Sequence, residues 1–84
     1  MTNLNQIVAG ENYLSKGMEL LNKVDESSHR EAYKQFRMAY GSFASAPTVV
    51  GLMKLRSAIG NNGKQKYYKN LIEEIDNLID SYMH

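Results

Sequence analysis

Apolar residues recur at helical spacing in four successive segments of this 84-residue chain. The last segment shows the pattern most regularly, at intervals of three and four residues: Tyr68, Leu71, Ile75, Leu78 and Tyr82. Such intervals place side chains on one face of an α-helix, and no strand pattern competes with them. We therefore predict an all-α fold, either a four-helix bundle or two stacked antiparallel helical hairpins. The length predicts a single domain over residues 1–84.

The first predicted helix starts at Asn3, where Gln6 completes a capping-box pattern. Gly10 interrupts the apolar face, because glycine destabilises a helix interior by about 1 kcal/mol relative to alanine. We therefore expect a loose first turn, followed by a firmer helix from Glu11 to Val24.

The second predicted helix starts at Ser28, which with Glu31 fits a Ser-x-x-Glu capping box, and it stops before Pro47. Pro47 suits the first turn of the third helix, which the Gly/Asn-rich residues 60–63 end. The fourth helix is predicted over residues 64–83.

The two histidines do not form a metal-binding pattern. We expect His29 to be solvated in a helix cap, and His84 is the last residue given. Cysteine is absent, and no pair of residues has the spacing of zinc ligands. We predict no metal ion, no cofactor, no catalytic residues and hence no enzyme activity.

No apolar stretch approaches the about 20 residues that a membrane span requires, and the first residues do not resemble a signal peptide. We therefore expect no membrane span and a cytoplasmic location.

Charge is unevenly distributed in the second half of the chain. Residues 47–69 hold five basic residues and no acidic ones: Lys54, Arg56, Lys64, Lys66 and Lys69. Residues 70–84 hold four acidic residues: Glu73, Glu74, Asp76 and Asp80. Complementary charge of this kind steers association with a polar partner or with another copy of the same chain.

Three interpretations of the basic segment remain open: solvated surface, protein docking, or binding of nucleic acid or anionic lipid. The third would use Lys54, Arg56, Lys64, Lys66 and Lys69 to hold phosphates and Tyr67 to stack on a base.

The acidic residues of the fourth predicted helix form a solvated face or a docking surface for a basic partner. Glu73, Asp76 and Asp80 are the candidates for docking. The apolar stripe of residues 64–83 has the spacing of a coiled-coil seam. That helix therefore either packs within its own domain or pairs with another chain, in which case the protein is a homo-oligomer.

The small-large-small pattern Ala32-x3-Phe36-x2-Ala39 resembles the second helix of a tetratricopeptide (TPR) repeat, with Tyr13 and Gly17 placed as in the preceding helix of that repeat. The longer first hairpin and the helix after it are also similar to the three-helix MIT domain. Both resemblances imply peptide recognition in a groove between helices.

The Lys, Asn, Ile and Tyr bias, the short length and the absence of cysteine also resemble small bacteriophage accessory proteins, such as lysis-inhibition or antidefence factors. That likeness implies a regulator or inhibitor of another protein.

We therefore expect a non-enzymatic protein-interaction module that acts as an adaptor, regulator or inhibitor. The second hypothesis is a small nucleic-acid-binding protein that uses the basic 54–69 segment.

Overall fold

Four α-helices make up the fold in the computed structural model, which describes residues 3–23, 25–61 and 68–84. They are α1 (Leu4–Leu20), α2 (Glu26–Ser42), α3 (Ala46–Asn61) and α4 (Lys69–Met83). No strand occurs in these ranges. The all-α prediction is confirmed.

The predicted capping box of α1 is confirmed. The Gln6 backbone N–H donates to Asn3 Oδ1 at 2.9 Å, and the Asn3 backbone N–H donates to Gln6 Oε1 at 3.0 Å. The expected interruption at Gly10 is wrong, since α1 is continuous from Leu4 to Leu20. Gly10 is buried against α2, so the tertiary contact overrides the low helix propensity of glycine.

The predicted start of α2 is also corrected. Asp25, and not Ser28, is the N-cap, and α2 begins at Glu26. The Ser28 backbone N–H and hydroxyl donate to the two Asp25 carboxylate oxygens at 3.0 and 2.8 Å. Both the Ser28 hydroxyl and its backbone amide are thereby satisfied inside the first turn, where Ser28 is buried.

The expectation that His29 is solvated is wrong, because only 1% of its surface is exposed. Its position follows from the earlier start of α2, which carries His29 onto the buried face of the helix. Ala32, Tyr33 and Phe36 share that face at helical spacing.

Helices α1 and α2 pack as an antiparallel pair. Gly17 lies against Phe36, whereas the earlier Gly10 lies against the later Phe43. A Cβ atom built on Gly17 would lie only 2.6 Å from Phe36 Cε1, so the missing side chain is what admits the ring.

Helix α3 begins as predicted, with Pro47 in its first turn. The three residues between α2 and α3 are too few to cross the length of either helix, so the two are antiparallel. Gly51 of α3 contacts the same Phe36 ring that Gly17 contacts from α1. The main core cluster contains residues from α2, α3, α4 and the residue before α4: Ala32, Tyr33, Phe36, Leu52, Leu55, Ile59, Tyr68, Leu71 and Ile75.

Helix α4 is described from Lys69, with Tyr68 as its N-cap residue. The first residues of the predicted helix 64–83, including Lys64, Lys66 and Tyr67, lie outside the described residues. Helix α4 runs parallel to α2, because His29 meets Tyr68 near both helix starts and Arg37 and Ser81 line one groove further along.

The helix contacts fit two stacked hairpins. Helices α2 and α3 each contact all three other helices, whereas α1 and α4 do not touch within the described ranges. The slab measures 40 × 27 × 15 Å between Cα atoms, so α3 and α4 each keep one side open to solvent.

Candidate docking face

An ion pair joins the predicted basic segment to the predicted acidic helix. Arg56 Nε of α3 donates to Asp76 Oδ1 of α4 at 2.7 Å. Their side chains remain 43% and 47% exposed, so the pair contributes at most about 1 kcal/mol to stability. Its main consequence is geometric, because it fixes the register of α4 against α3: Arg56 and Asp76 lie at the same height along the two helices.

Apolar side chains lie next to this ion pair on the open side of the hairpin. On α3, Val50 and Met53 precede Arg56 at three-residue intervals and are exposed. On α4, Asp76 belongs to a stripe spaced by four, three and four residues: Ile72, Asp76, Ile79 and Met83. Ile72 and Ile79 are partly buried, and Met83 is exposed.

We call this surface the α3/α4 face. It consists of Val50, Met53, Arg56, Ile72, Asp76, Ile79 and Met83. Exposed apolar residues that lie together and are bordered by polar side chains are typical of protein-binding surfaces.

Of the residues that the sequence singled out, Arg56 and Asp76 are the pair that the structure joins directly. Lys54, Lys69 and Glu73 are exposed. Asp80 is exposed too, and its Oδ1 atom lies 3.1 Å from His84 Nε2. Lys64, Lys66 and Tyr67 lie outside the described residues, so their predicted role stays a prediction.

A shallow groove of about 230 Å³ separates α2 from α4 and is lined in part by Tyr33, Arg37 and Glu74. Burial raises the pKa of Tyr33; the carboxylate of Glu74 raises it further, and the Arg37 guanidinium opposes both. The phenol therefore stays protonated at neutral pH.

A second hollow of about 250 Å³ lies where α1 meets the connection between α2 and α3. Leu14, Phe43 and Pro47 give it a mainly apolar lining, with Glu11 and Ser45 at its sides. Both hollows are smaller than the about 300–1,000 Å³ typical of small-molecule sites.

Sequence reasoning missed a buried polar contact between α2 and the start of α4. The rings of His29 and Tyr68 meet edge to face with centroids 5.9 Å apart, and Arg30 Cζ lies 5.5 Å from the Tyr68 centroid. Neither His29 Nδ1 nor the Tyr68 hydroxyl has a hydrogen-bond partner in the described part of the chain. Burial raises the pKa of Tyr68; Glu26 and Asp25 raise it too, and Arg30 lowers it.

Within residues 3–23, 25–61 and 68–84, no three His, Asp or Glu side chains come together in a way that could hold a metal ion. Over the same ranges, no helix combines the length and the apolar character needed to cross a membrane. Comparison of this chain with protein-family models, curated proteins and solved structures found no match.

Proposed function

We propose that this chain is a non-enzymatic protein-interaction module that binds a partner protein through the α3/α4 face. One observation carries the proposal: the exposed apolar side chains Val50, Met53 and Met83 lie towards one end of the exposed Arg56–Asp76 pair on the open side of one hairpin. Burying such a surface against a partner removes apolar area from water at about 25 cal/mol per Å².

The charges favour a protein partner over nucleic acid. Arg56, a residue of the predicted phosphate-binding set, already pairs with Asp76. Glu73 and Asp80 are exposed on the same helix as Asp76 and would repel phosphate. A protein surface can supply both signs of charge.

The two hollows support the same choice of face. Each is too small for a helix, whose diameter with side chains is about 10–12 Å, so each could take only a side chain of a bound partner. The TPR and MIT resemblance favours groove binding, whereas the exposed apolar residues favour the flatter α3/α4 face. Identification of the partner would decide among adaptor, regulator and inhibitor.

The proposal is tested by affinity capture from native cell extract, with and without nuclease. Three baits are compared: the wild-type chain, Met53→Glu on the α3/α4 face, and Met38→Glu on α2. The two methionines make a matched pair because they are 43% and 40% exposed.

We expect the wild-type and Met38→Glu baits to capture one partner protein in stoichiometric amount, with or without nuclease. The Met53→Glu bait should not capture it. Recovery of mainly nucleic acid, released by moderate salt, would overturn the proposal. It would make the basic 54–69 segment the candidate binding site. Equal recovery by both variants would show that the α3/α4 face is not the docking surface.

A further inference from the structure

We infer that the α3/α4 face binds a second copy of this chain in a closed, two-fold symmetric pair. The inference rests on the proposed function and names the partner of the same face. Two features of the hairpin carry it: the opposite charges of Arg56 and Asp76 on the two helices, and the height of this pair along them.

The charges of the two helices are complementary to each other. On the α3/α4 face, α3 carries the cationic Arg56 and α4 carries the anionic Asp76, whereas Glu74 of α4 lines the groove against α2. If each copy sets its α3 on the α4 of the other, Arg56 of one copy meets Asp76 of the other in both halves of the interface. Setting α3 on α3 and α4 on α4 would bring like charges together, which is unfavourable.

A two-fold axis that lies in the interface and runs parallel to the helices produces the favourable arrangement. Rotation about that axis exchanges α3 with α4 and leaves each residue at its own height. Because Arg56 Nε and Asp76 Oδ1 are 2.7 Å apart, the two charged groups lie at the same height along the helices. Arg56 of each copy therefore stands level with Asp76 of the other, and the four side chains alternate in sign around the axis.

Apolar residues of the two helices come to the same height at one end of that charged centre. Helix α4 is parallel to α2 and α2 is antiparallel to α3, so α3 and α4 are antiparallel. Met53, one turn before Arg56, is therefore level with Ile79, one turn after Asp76. In the pair, Met53 of one copy meets Ile79 of the other, and these contacts shield that end of the charged centre from water. The interface is isologous, so it closes at two copies.

The test measures the mass of the purified full-length chain in solution by light scattering and sedimentation, at concentrations up to about 1 mM. The wild-type chain and Met38→Glu are expected to reach about twice the 9.5 kDa chain mass. Met53→Glu is expected to stay monomeric, because it places a carboxylate against the acidic α4 of the other copy. Circular dichroism is the control that checks whether both variants keep their helices.

Salt dependence is a second readout, because opposite charges meet in the proposed pair. Raising salt from about 0.1 M to about 1 M shortens the screening length from about 10 to about 3 Å and should weaken the pair. A wild-type chain that is monomeric at every concentration, or a dimer indifferent to Met53→Glu, would overturn the inference. A monomer that still captures a protein through Met53 would leave the proposed function standing and assign the face to a different partner.

Discussion

The ring of Phe36 occupies the space that a side chain at position 17 would need. A Cβ atom added to Gly17 would lie 2.6 Å from Phe36 Cε1 and 2.8 Å from Cδ1. Gly51 on α3 meets the same ring, with a corresponding distance of 2.7 Å to Cε1. One fully buried aromatic side chain therefore sets the distances of both α1 and α3 from α2.

We expect Gly17→Ala to destabilise the fold. The ring is fully buried against two helices, so relief of the contact requires the α1 or α3 backbone to move. Overpacking of this kind costs about 1–3 kcal/mol, which exceeds the about 1 kcal/mol that alanine gains over glycine in a helix. Urea unfolding measures the difference as a lower midpoint.

Gly41→Ala is the matched control for this change. Gly41 also lies within a helix, but a Cβ atom there would meet nothing within 4 Å. Alanine should therefore stabilise the chain by about 0.5–1 kcal/mol. A Gly17→Ala protein as stable as Gly41→Ala would show that α1 can move away from α2 at little cost. The Phe36 ring would then not set the position of α1.

We further expect the effect of Gly17→Ala to depend on the residue at position 36. In a Phe36→Leu background the ring edge is gone, so the added methyl group has room and the penalty should shrink by about 0.5–3 kcal/mol. A double-mutant cycle measured by urea unfolding gives this coupling. Additive effects would mean that the methyl group clashes with something other than the ring.

The helices of this fold could be predicted from the sequence largely because the strongest signals are local. The Ala32, Phe36 and Ala39 pattern marks a buried face, and all three side chains are fully buried. Pro47 marks the first turn of α3 by its missing N–H and fixed φ.

The errors arose where a local rule competed with a tertiary contact or with a second local rule. Gly10 resembled a helix breaker, yet a Cβ atom there would lie 3.2 Å from Phe43 Cβ, so glycine permits close packing. The sequence prediction took Ser28 as the N-cap and did not consider Asp25, although aspartate caps helices as well as serine does. With the start misplaced, the helical spacing of His29 to Ala32 and Phe36 went unused, although it indicated burial.

For the candidate site, the sequence predicted only a basic segment and an acidic helix, and not which of their residues pair. Arg56 and Asp76 lie 20 residues apart, and their pairing depends on the register of α3 against α4. The sequence did not indicate that register, because the apolar stripes of both helices can pack at more than one height. The exposed flank of α4, from Ile72 to Met83, likewise becomes visible only when the buried flank is known.

Tyr68→Phe is expected to leave the fold equally stable or to stabilise it. The Tyr68 hydroxyl is buried and has no partner among the described residues, so the folded chain bears a desolvation penalty that phenylalanine removes. The gain should reach at most about 1 kcal/mol. Tyr40→Phe, at a partly exposed position, is the control and should change little. A loss above about 1 kcal/mol would mean that the hydroxyl is hydrogen-bonded after all.

The same substitution should alter the response to alkaline pH. Burial raises the pKa of Tyr68 in the folded chain, so the stability linked to its proton is present below the unfolded value near pH 10 and is lost as pH rises through the folded pKa. The wild type should therefore lose stability relative to Tyr68→Phe above about pH 10. The two proteins differ only at position 68, so the difference between their stabilities isolates the Tyr68 phenol. If the unfolding free energies of the two proteins changed with pH in parallel, burial of the phenol in the native state would be contradicted.

At acidic pH the corresponding test concerns the α2 cap. Hydrogen bonds from the Ser28 hydroxyl and backbone N–H lower the pKa of Asp25 in the folded chain. Its ionised form therefore stabilises the fold above the unfolded value, about pH 3.9, and that contribution is lost as pH falls through the lower folded pKa. Asparagine also caps helices and does not titrate. The wild type should thus lose stability relative to Asp25→Asn as pH falls from about 5 to about 2.5 in urea unfolding. A constant difference over that range would show that folding does not lower the pKa of Asp25 and would contradict its role as the charged cap of α2.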